Sequence, residues 1–153
     1  MLVAQDVVDE RVELRNVTLE NSRSSFQSSS ETLRGGAFAC LPCASLKLVN
    51  VTLFNNTVEG SGGGLFVTHT GTLNASMQLI DTDFVENSAS VQSGAAYLNY
   101  DADILLSNVN FVENVADGGD AAFTILNVQK FEYDVGVLTS NIGTSGSPFV
   151  RFF

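Results

Sequence analysis

Few residues in this chain have the type and spacing to do chemistry. Cys40-Leu41-Pro42-Cys43 has the spacing of a redox pair or of half a metal site. A zinc site needs four ligands, and His69 is the only histidine among 153 residues, so one chain does not complete one. A thioredoxin-like motif needs a βαβ setting, which is missing. Cys40 and Cys43 are therefore read as a local disulfide or as two reduced thiols, with the disulfide favoured if the chain is exported. Asp81-Thr82-Asp83 brings together two carboxylates, the groups that serve glycoside hydrolases as acid and as base or nucleophile. No Arg, Lys or His stands beside them, and they are read as structural. Asp101, Asp103, Asp117 and Asp120 carry the hard oxygen ligands that calcium takes. The Gly-Gly-x-Gly-x-Asp repeat of calcium solenoids is absent, and no metal site is assigned. His69, in the stretch THTGTLNAS at 68–76, is expected in a loop and solvated. Sequons occur at Asn16, Asn50, Asn55 and Asn74. Asn16 and Asn50 belong to a repeating column, so Asn74 is the glycosylation candidate. No catalytic or cofactor-binding residue is assigned, and no cofactor is expected.

What positions these residues is a repeat. Phe84-Val85-Glu86-Asn87 returns as Phe111-Val112-Glu113-Asn114, and the residues around them return too. Residues 104–114 read ILLSNVNFVEN, 77–87 MQLIDTDFVEN, 46–56 LKLVNVTLFNN and 12–22 VELRNVTLENS; 131–141, FEYDVGVLTSN, is a weaker copy. Column by column, Val12, Leu46, Met77, Ile104 and Phe131 are followed two residues on by Leu14, Leu48, Leu79, Leu106 and Tyr133. Apolar residues at i and i+2 mark one face of a strand. Between them Glu13, Lys47, Gln78, Leu105 and Glu132 mostly suit an outer face. Then come Leu19, Leu53, Phe84, Phe111 and Leu138, and three residues later Ser22, Asn56, Asn87, Asn114 and Asn141.

A second block repeats in phase: Gly35-Gly36-Ala37-Phe38, Gly62-Gly63-Gly64-Leu65, Gly94-Ala95-Ala96-Tyr97 and Asp120-Ala121-Ala122-Phe123, with Gly146-Ser147-Pro148-Phe149 a degraded fifth. Small residues there suit a tight corner or a close backbone approach. A period near 27 residues with strand alternation suits one coil of a parallel β-helix, in which coils stack because none can bury its own inner face. Stacked asparagines would bond to one another and to the turns. The leucine-rich repeat pattern with a helix in each repeat is absent, and a β-sandwich does not hold five copies in register. The fold expected is all-β, a parallel β-helix of about five coils over 12–150, with an N-terminal extension at 1–11 and a C-terminal end at 151–153.

The formal net charge is −10, with seven basic and seventeen acidic residues. That disfavours nucleic acid, which attracts basic stripes, and anionic membrane surfaces. No run reaches the length of a membrane helix, and no membrane insertion by this segment is expected. Residues 1–11 lack the apolar stretch of a signal peptide. The last five residues, FVRFF, stay apolar and in phase, where a finished solenoid carries a polar cap. The expectation is a piece of a longer β-helix, with neighbouring coils of that chain as partners. The Ser-rich stretch 22–33 is expected to protrude as a loop.

Through Phe84/Asn87 and Phe111/Asn114, with Leu53/Asn56 and Leu138/Asn141 carrying Leu for Phe, and through Gly35-Gly36-Ala37-Phe38, the chain resembles the polymorphic outer-membrane protein repeat family. That family, typified by chlamydial autotransporter adhesins, is marked by Phe-x-x-Asn and Gly-Gly-Ala-x repeats. The resemblance covers about residues 12–150. It implies a right-handed β-helix passenger displayed on a cell surface, the outer membrane if the source is bacterial, with adhesion to a protein or glycan on another surface as its role. The chain departs from the family in its degenerate motifs and in the absence of an autotransporter barrel. The function expected is a non-catalytic extracellular or cell-surface repeat, adhesive or a structural stalk. The alternative is a non-catalytic or decayed part of a carbohydrate-active, pectate-lyase-like β-helix enzyme.

Overall fold

The computed structural model describes residues 1–25, 33–69, 75–144 and 150–152. Among them there is no helix, and every strand pairing is parallel. Each turn of the chain lays strands on three faces. On the first face Leu2, Phe38, Leu65, Ala96, Phe123 and Val150 fall in register. The second face is the longest and aligns Val12, Leu46, Met77, Ile104 and Phe131. The third is a ladder of two-residue strands, Arg23–Ser24, Thr57–Val58, Ser88–Ala89, Val115–Ala116 and Ile142–Gly143. Phe38, Leu65, Ala96 and Phe123 bound about three complete turns, with an outer turn at each end. The five sequence copies are thus five rungs of the second face rather than five complete coils.

The columns are the reason the strands stack. Leu46, Met77 and Ile104, Leu48, Leu79 and Leu106, and Leu53, Phe84 and Phe111 are all buried. Each such side chain contributes roughly 1.5–3 kcal/mol when fully buried. Phe84 lies on Phe111 with ring centroids 5.0 Å apart and planes 8° from parallel, and Leu53 and Leu138 extend that column. On the outermost rungs Val12, Leu14, Val17 and Leu19, and at the other end Phe131, Tyr133 and Leu138, are only half-buried. There a neighbour stacks on one side alone. Residues 1–11, separated by the sequence reading as an extension, include paired chain: Leu2 lies against Phe38 and Val7 against Cys43. At the far end Arg151 and Phe152 pair with Thr124 and Ile125.

The second face bends in its middle, where Asn16, Asn50, Asp81, Asn108 and Val135 have φ between 48 and 52°. Asn and Asp reach this left-handed region at low cost, which explains why four of these five rungs carry them. The next corner repeats the device with Asn21, Asn55, Glu86, Glu113 and Ser140, at φ 52 to 56°.

The glycine block needs correcting at its fifth copy, where Val150 is the residue that stands beside Phe123, and at its third. The register sets Ala96, not Tyr97, beside Leu65 and Phe123. Its third copy is therefore Ser93-Gly94-Ala95-Ala96, and Ser93 takes φ 57° at the corner where Gly35 and Gly62 have 72 and 73°. A one-residue slip exchanges the two faces of a strand, so Tyr97 turns outward and stacks on Phe66, centroids 4.8 Å apart. At the next position Gly36 and Gly63 pass so close to the following turn that an added Cβ would collide with the Gly63 and Gly94 carbonyl oxygens respectively.

Candidate functional site

The repeat asparagines build a buried amide ladder at the corner between the second and third faces. Asn56, Asn87 and Asn114 are fully buried. Asn87 donates one amide hydrogen to the Leu53 carbonyl at 2.8 Å and the other to Asn114 Oδ1 at 3.1 Å. Asn114 Oδ1 also accepts the Asn87 backbone N–H at 3.0 Å. The pattern returns one turn later, where Asn114 donates to the Phe84 carbonyl at 2.9 Å and to Asn141 Oδ1 at 2.9 Å. Every donor and acceptor of the Asn87 and Asn114 amides is thereby used, as a buried polar group requires. This ladder holds the corner; it presents nothing to a ligand.

Cys40 and Cys43 are joined as a disulfide, with both residues buried. They lie inside the strand Phe38–Phe54, at the corner between the first and second faces. The two cysteines are three residues apart, which plain alternation would set on opposite faces; the corner between them turns both side chains into the core.

Asp81 and Asp83 both point outward from one strand, on either side of the buried Thr82. Each accepts a hydrogen bond from the asparagine one rung on, Asn108 to Asp81 at 2.8 Å and Asn110 to Asp83 at 2.7 Å. They are thus members of amide–carboxylate ladders. Asp101 accepts from Gln129, whereas Asp120 is buried and accepts from Thr124. Among the described residues no group of acidic, Cys and His side chains is arranged to hold a metal ion.

His69 corrects the sequence reading. It ends the strand Leu65–His69, is 3 % exposed and packs on the Tyr100 ring at 5.2 Å. Tyr100 in turn donates to the Ala44 carbonyl at 2.6 Å, and burial pushes its phenol pKa far above the ordinary value. The loop assignment failed because His69 continues the inward alternation of Leu65 and Val67. Asn16, Asn50 and Asn55 are exposed at the two bends, Asn50 donating to Asn16 and Asn55 to Asn21. Asn74 and most of the Ser-rich stretch lie outside the described residues.

The surface left for a partner is the outer side of the second face. Its first outward column is Arg11, Ser45, Ser76, Asp103 and Lys130, and the next is Glu13, Lys47, Gln78, Leu105 and Glu132. Two shallow depressions lie here. One, of about 140 Å³, is lined by Arg11, Ser45, Leu46, Lys47, Ser76 and Gln78. The other, of about 200 Å³, is lined by Ser76, Gln78, Asp103, Leu105, Lys130 and Glu132 among others. They share Ser76 and Gln78 and so form one trough running across the strands. Within the first column the short Ser45 and Ser76 lie between the longer Arg11 on one side and Asp103 and Lys130 on the other, which lowers the surface there. Arg11 and Arg15 both pair with Glu13, and Lys130 pairs with Glu132 at 2.6 Å, which holds the Lys130 pKa above its usual value.

The sequence reading named the second of these columns but missed the first. Its signal was positional only: each member stands immediately before an apolar residue of the first inward column. Charge is also uneven along the axis. Residues 1–50 hold five basic and six acidic residues, whereas 51–153 hold two basic and eleven acidic. No helix among the described residues is long and apolar enough to cross a membrane. Comparison with family models, curated proteins and solved structures gives no match to this chain.

Proposed function

We propose that this chain is a non-catalytic, extracellular or cell-surface β-helix repeat that acts in adhesion or as a structural stalk. The observation that carries the reading is the contrast between the two sides of its wall. Inward columns repeat one chemistry from rung to rung, whereas the outward columns Arg11/Ser45/Ser76/Asp103/Lys130 and Glu13/Lys47/Gln78/Leu105/Glu132 do not. Contacts spread over a long face suit such a surface; a reaction needs several polar groups converging on one point. The Asp81 and Asp83 carboxylates are committed to asparagine amides and have no cationic or imidazole neighbour in their ladders. The buried Cys40–Cys43 disulfide suits an oxidising compartment. The Phe-x-x-Asn and Gly-Gly-Ala-x resemblance to outer-membrane adhesin repeats supports the same reading.

The test is retention of the purified protein on cell or matrix surfaces, together with a polysaccharide hydrolase and lyase screen. We expect retention that survives each single replacement Asp81→Ala, Asp83→Ala, Asp101→Ala and Asp103→Ala, and no turnover. Turnover of a polysaccharide that disappears with Asp81→Asn or Asp83→Asn, in a protein that still folds, would establish the enzyme instead.

A further inference from the structure

We propose that the trough on the second face is a subsite for an acidic saccharide, with Lys47 as its charge contact. The inference deepens the adhesive reading and rests on it. The lining comes first. Ser45 and Ser76 bring hydroxyls, Gln78 an amide, and Lys47 and Arg11 cationic groups, around a depression open to solvent. Hydroxyls and an amide exchange hydrogen bonds with sugar hydroxyls in either direction. The lining holds no aromatic ring, so recognition there depends on hydrogen bonds and charge, not on stacking.

The second observation is the state of Lys47. Glu13, its neighbour in the column, is taken by Arg11 and Arg15. No carboxylate lies within ion-pair distance of Lys47 among the described residues, and the side chain is half-buried against the wall. An ammonium near hydroxyls and without an ion-pair partner is suited to a carboxylate or sulfate on a ligand. The surroundings sharpen the choice, because the chain after residue 50 has two basic residues against eleven acidic, whereas residues 1–50 have five against six. The Arg11–Lys47 end of the trough is where an anionic ligand meets the least repulsion. The trough crosses rungs spaced roughly 4.8 Å apart, so it accommodates a short linear chain lying along the solenoid axis.

The test titrates the intact protein at low ionic strength with a galacturonate tetrasaccharide, a heparin-derived tetrasaccharide and a neutral cellulose-derived tetrasaccharide. Amide chemical shifts report both affinity and position. At least one acidic probe should bind about tenfold more tightly than the neutral one, the factor that corresponds to ~1.4 kcal/mol. Its shifts should centre on Ser45, Ser76 and Gln78, and added salt should weaken it. Lys47→Gln should bring acidic binding down to the neutral level, while Arg34→Gln, the same charge change on another face, should leave it unaltered. Ser76→Tyr, which fills the floor, should abolish it; Gln78→Ala replaces that variant if its circular dichroism shows loss of fold. Equal binding of acidic and neutral probes, indifference to Lys47→Gln, or shifts on another face would each overturn the subsite. Adhesion to a surface stripped of glycans, undiminished by Lys47→Gln, would also overturn the saccharide subsite while leaving the adhesive reading intact. Saccharide binding at the trough without adhesion would sink the adhesive reading alone.

Discussion

Asn114→Leu tests whether the buried amide ladder or merely the composition of the corner holds the turns together. Leucine keeps the branching of asparagine, so the change removes polar atoms while nearly keeping shape. Four bonds of the Asn114 side chain are lost, to the Asn87 backbone N–H, one Asn87 amide hydrogen, the Phe84 carbonyl and Asn141 Oδ1, at 3.0, 3.1, 2.9 and 2.9 Å; Asn141 Oδ1 keeps the Asn114 backbone N–H, and the other three groups lose their Asn114 partner. Asn87 is fully buried, so water does not replace the lost partners. A stranded buried polar group costs about 1–3 kcal/mol; at the lower end three give a loss of ~3 kcal/mol. For a chain of this size that is a fall in Tm of roughly 6–12 °C. The control is Asn99→Ala, which removes the acceptor of one exposed bond from Asn127 and should stay within about 0.5 kcal/mol. Urea unfolding followed by circular dichroism measures both. If Asn114→Leu shifts stability no more than Asn99→Ala does, the ladder is compositional and the reasoning fails.

Three further outcomes follow from particular residues. Val135 is 70 % exposed at φ 52°, where the rungs below it carry Asn or Asp; Val135→Asn should relieve a strained β-branched residue and stabilise by about 1 kcal/mol, whereas an unchanged urea midpoint would contradict this. Gly63→Ala should destabilise by roughly 3 kcal/mol or more, because its Cβ would strike the Gly94 carbonyl and stand 2.6 Å from the Ser88 oxygen; Gly64→Ala, in a column where Ala37, Ala95 and Ala122 already fit, should cost under about 1.5 kcal/mol, and equal losses would refute the distinction. Burial raises the phenol pKa of Tyr100, and those of Tyr97 and Tyr133. The folded state therefore keeps the Tyr100 proton after the unfolded chain loses it, and stability present below about pH 10 should decline above it. Tyr100→Phe should flatten that alkaline decline, and an identical pH profile for the variant would exclude the cause.

The parallel solenoid was legible in the sequence because its cause is a column, and columns survive as spacing. Leu53, Phe84, Phe111 and Leu138 recur at equivalent places since stacking sets like residues beside like, and the asparagines recur because each amide needs the next. The bends were not read from the sequence; the structure shows that Asn16, Asn50, Asp81 and Asn108 mark them, because Asn and Asp are what the left-handed region admits. What failed depended on a single rung. Ser93 occupies a left-handed corner that Gly35 and Gly62 fill elsewhere, and no spacing rule announces a serine there, so the third glycine block was placed one residue late and Tyr97 on the wrong side.

The outer surface was the least legible part. Its residues answer to whatever meets them, not to stacking, and so leave no periodic trace. Arg11, Ser45, Ser76, Asp103 and Lys130 share a column only because backbone hydrogen bonds align rungs separated by 34, 31, 27 and 27 residues. Sequence alone determined the repeat, the parallel wall, its buried columns and its amide ladder, since each is a local pattern repeated. Tertiary structure alone decided that His69 is buried, that Cys40 and Cys43 meet inside the core, and that two short serines lie between Arg11 and Lys130 to open a trough. Those are contacts between unlike residues on different rungs or at a corner, and their strength depends on where the chain brings them rather than on any interval between them.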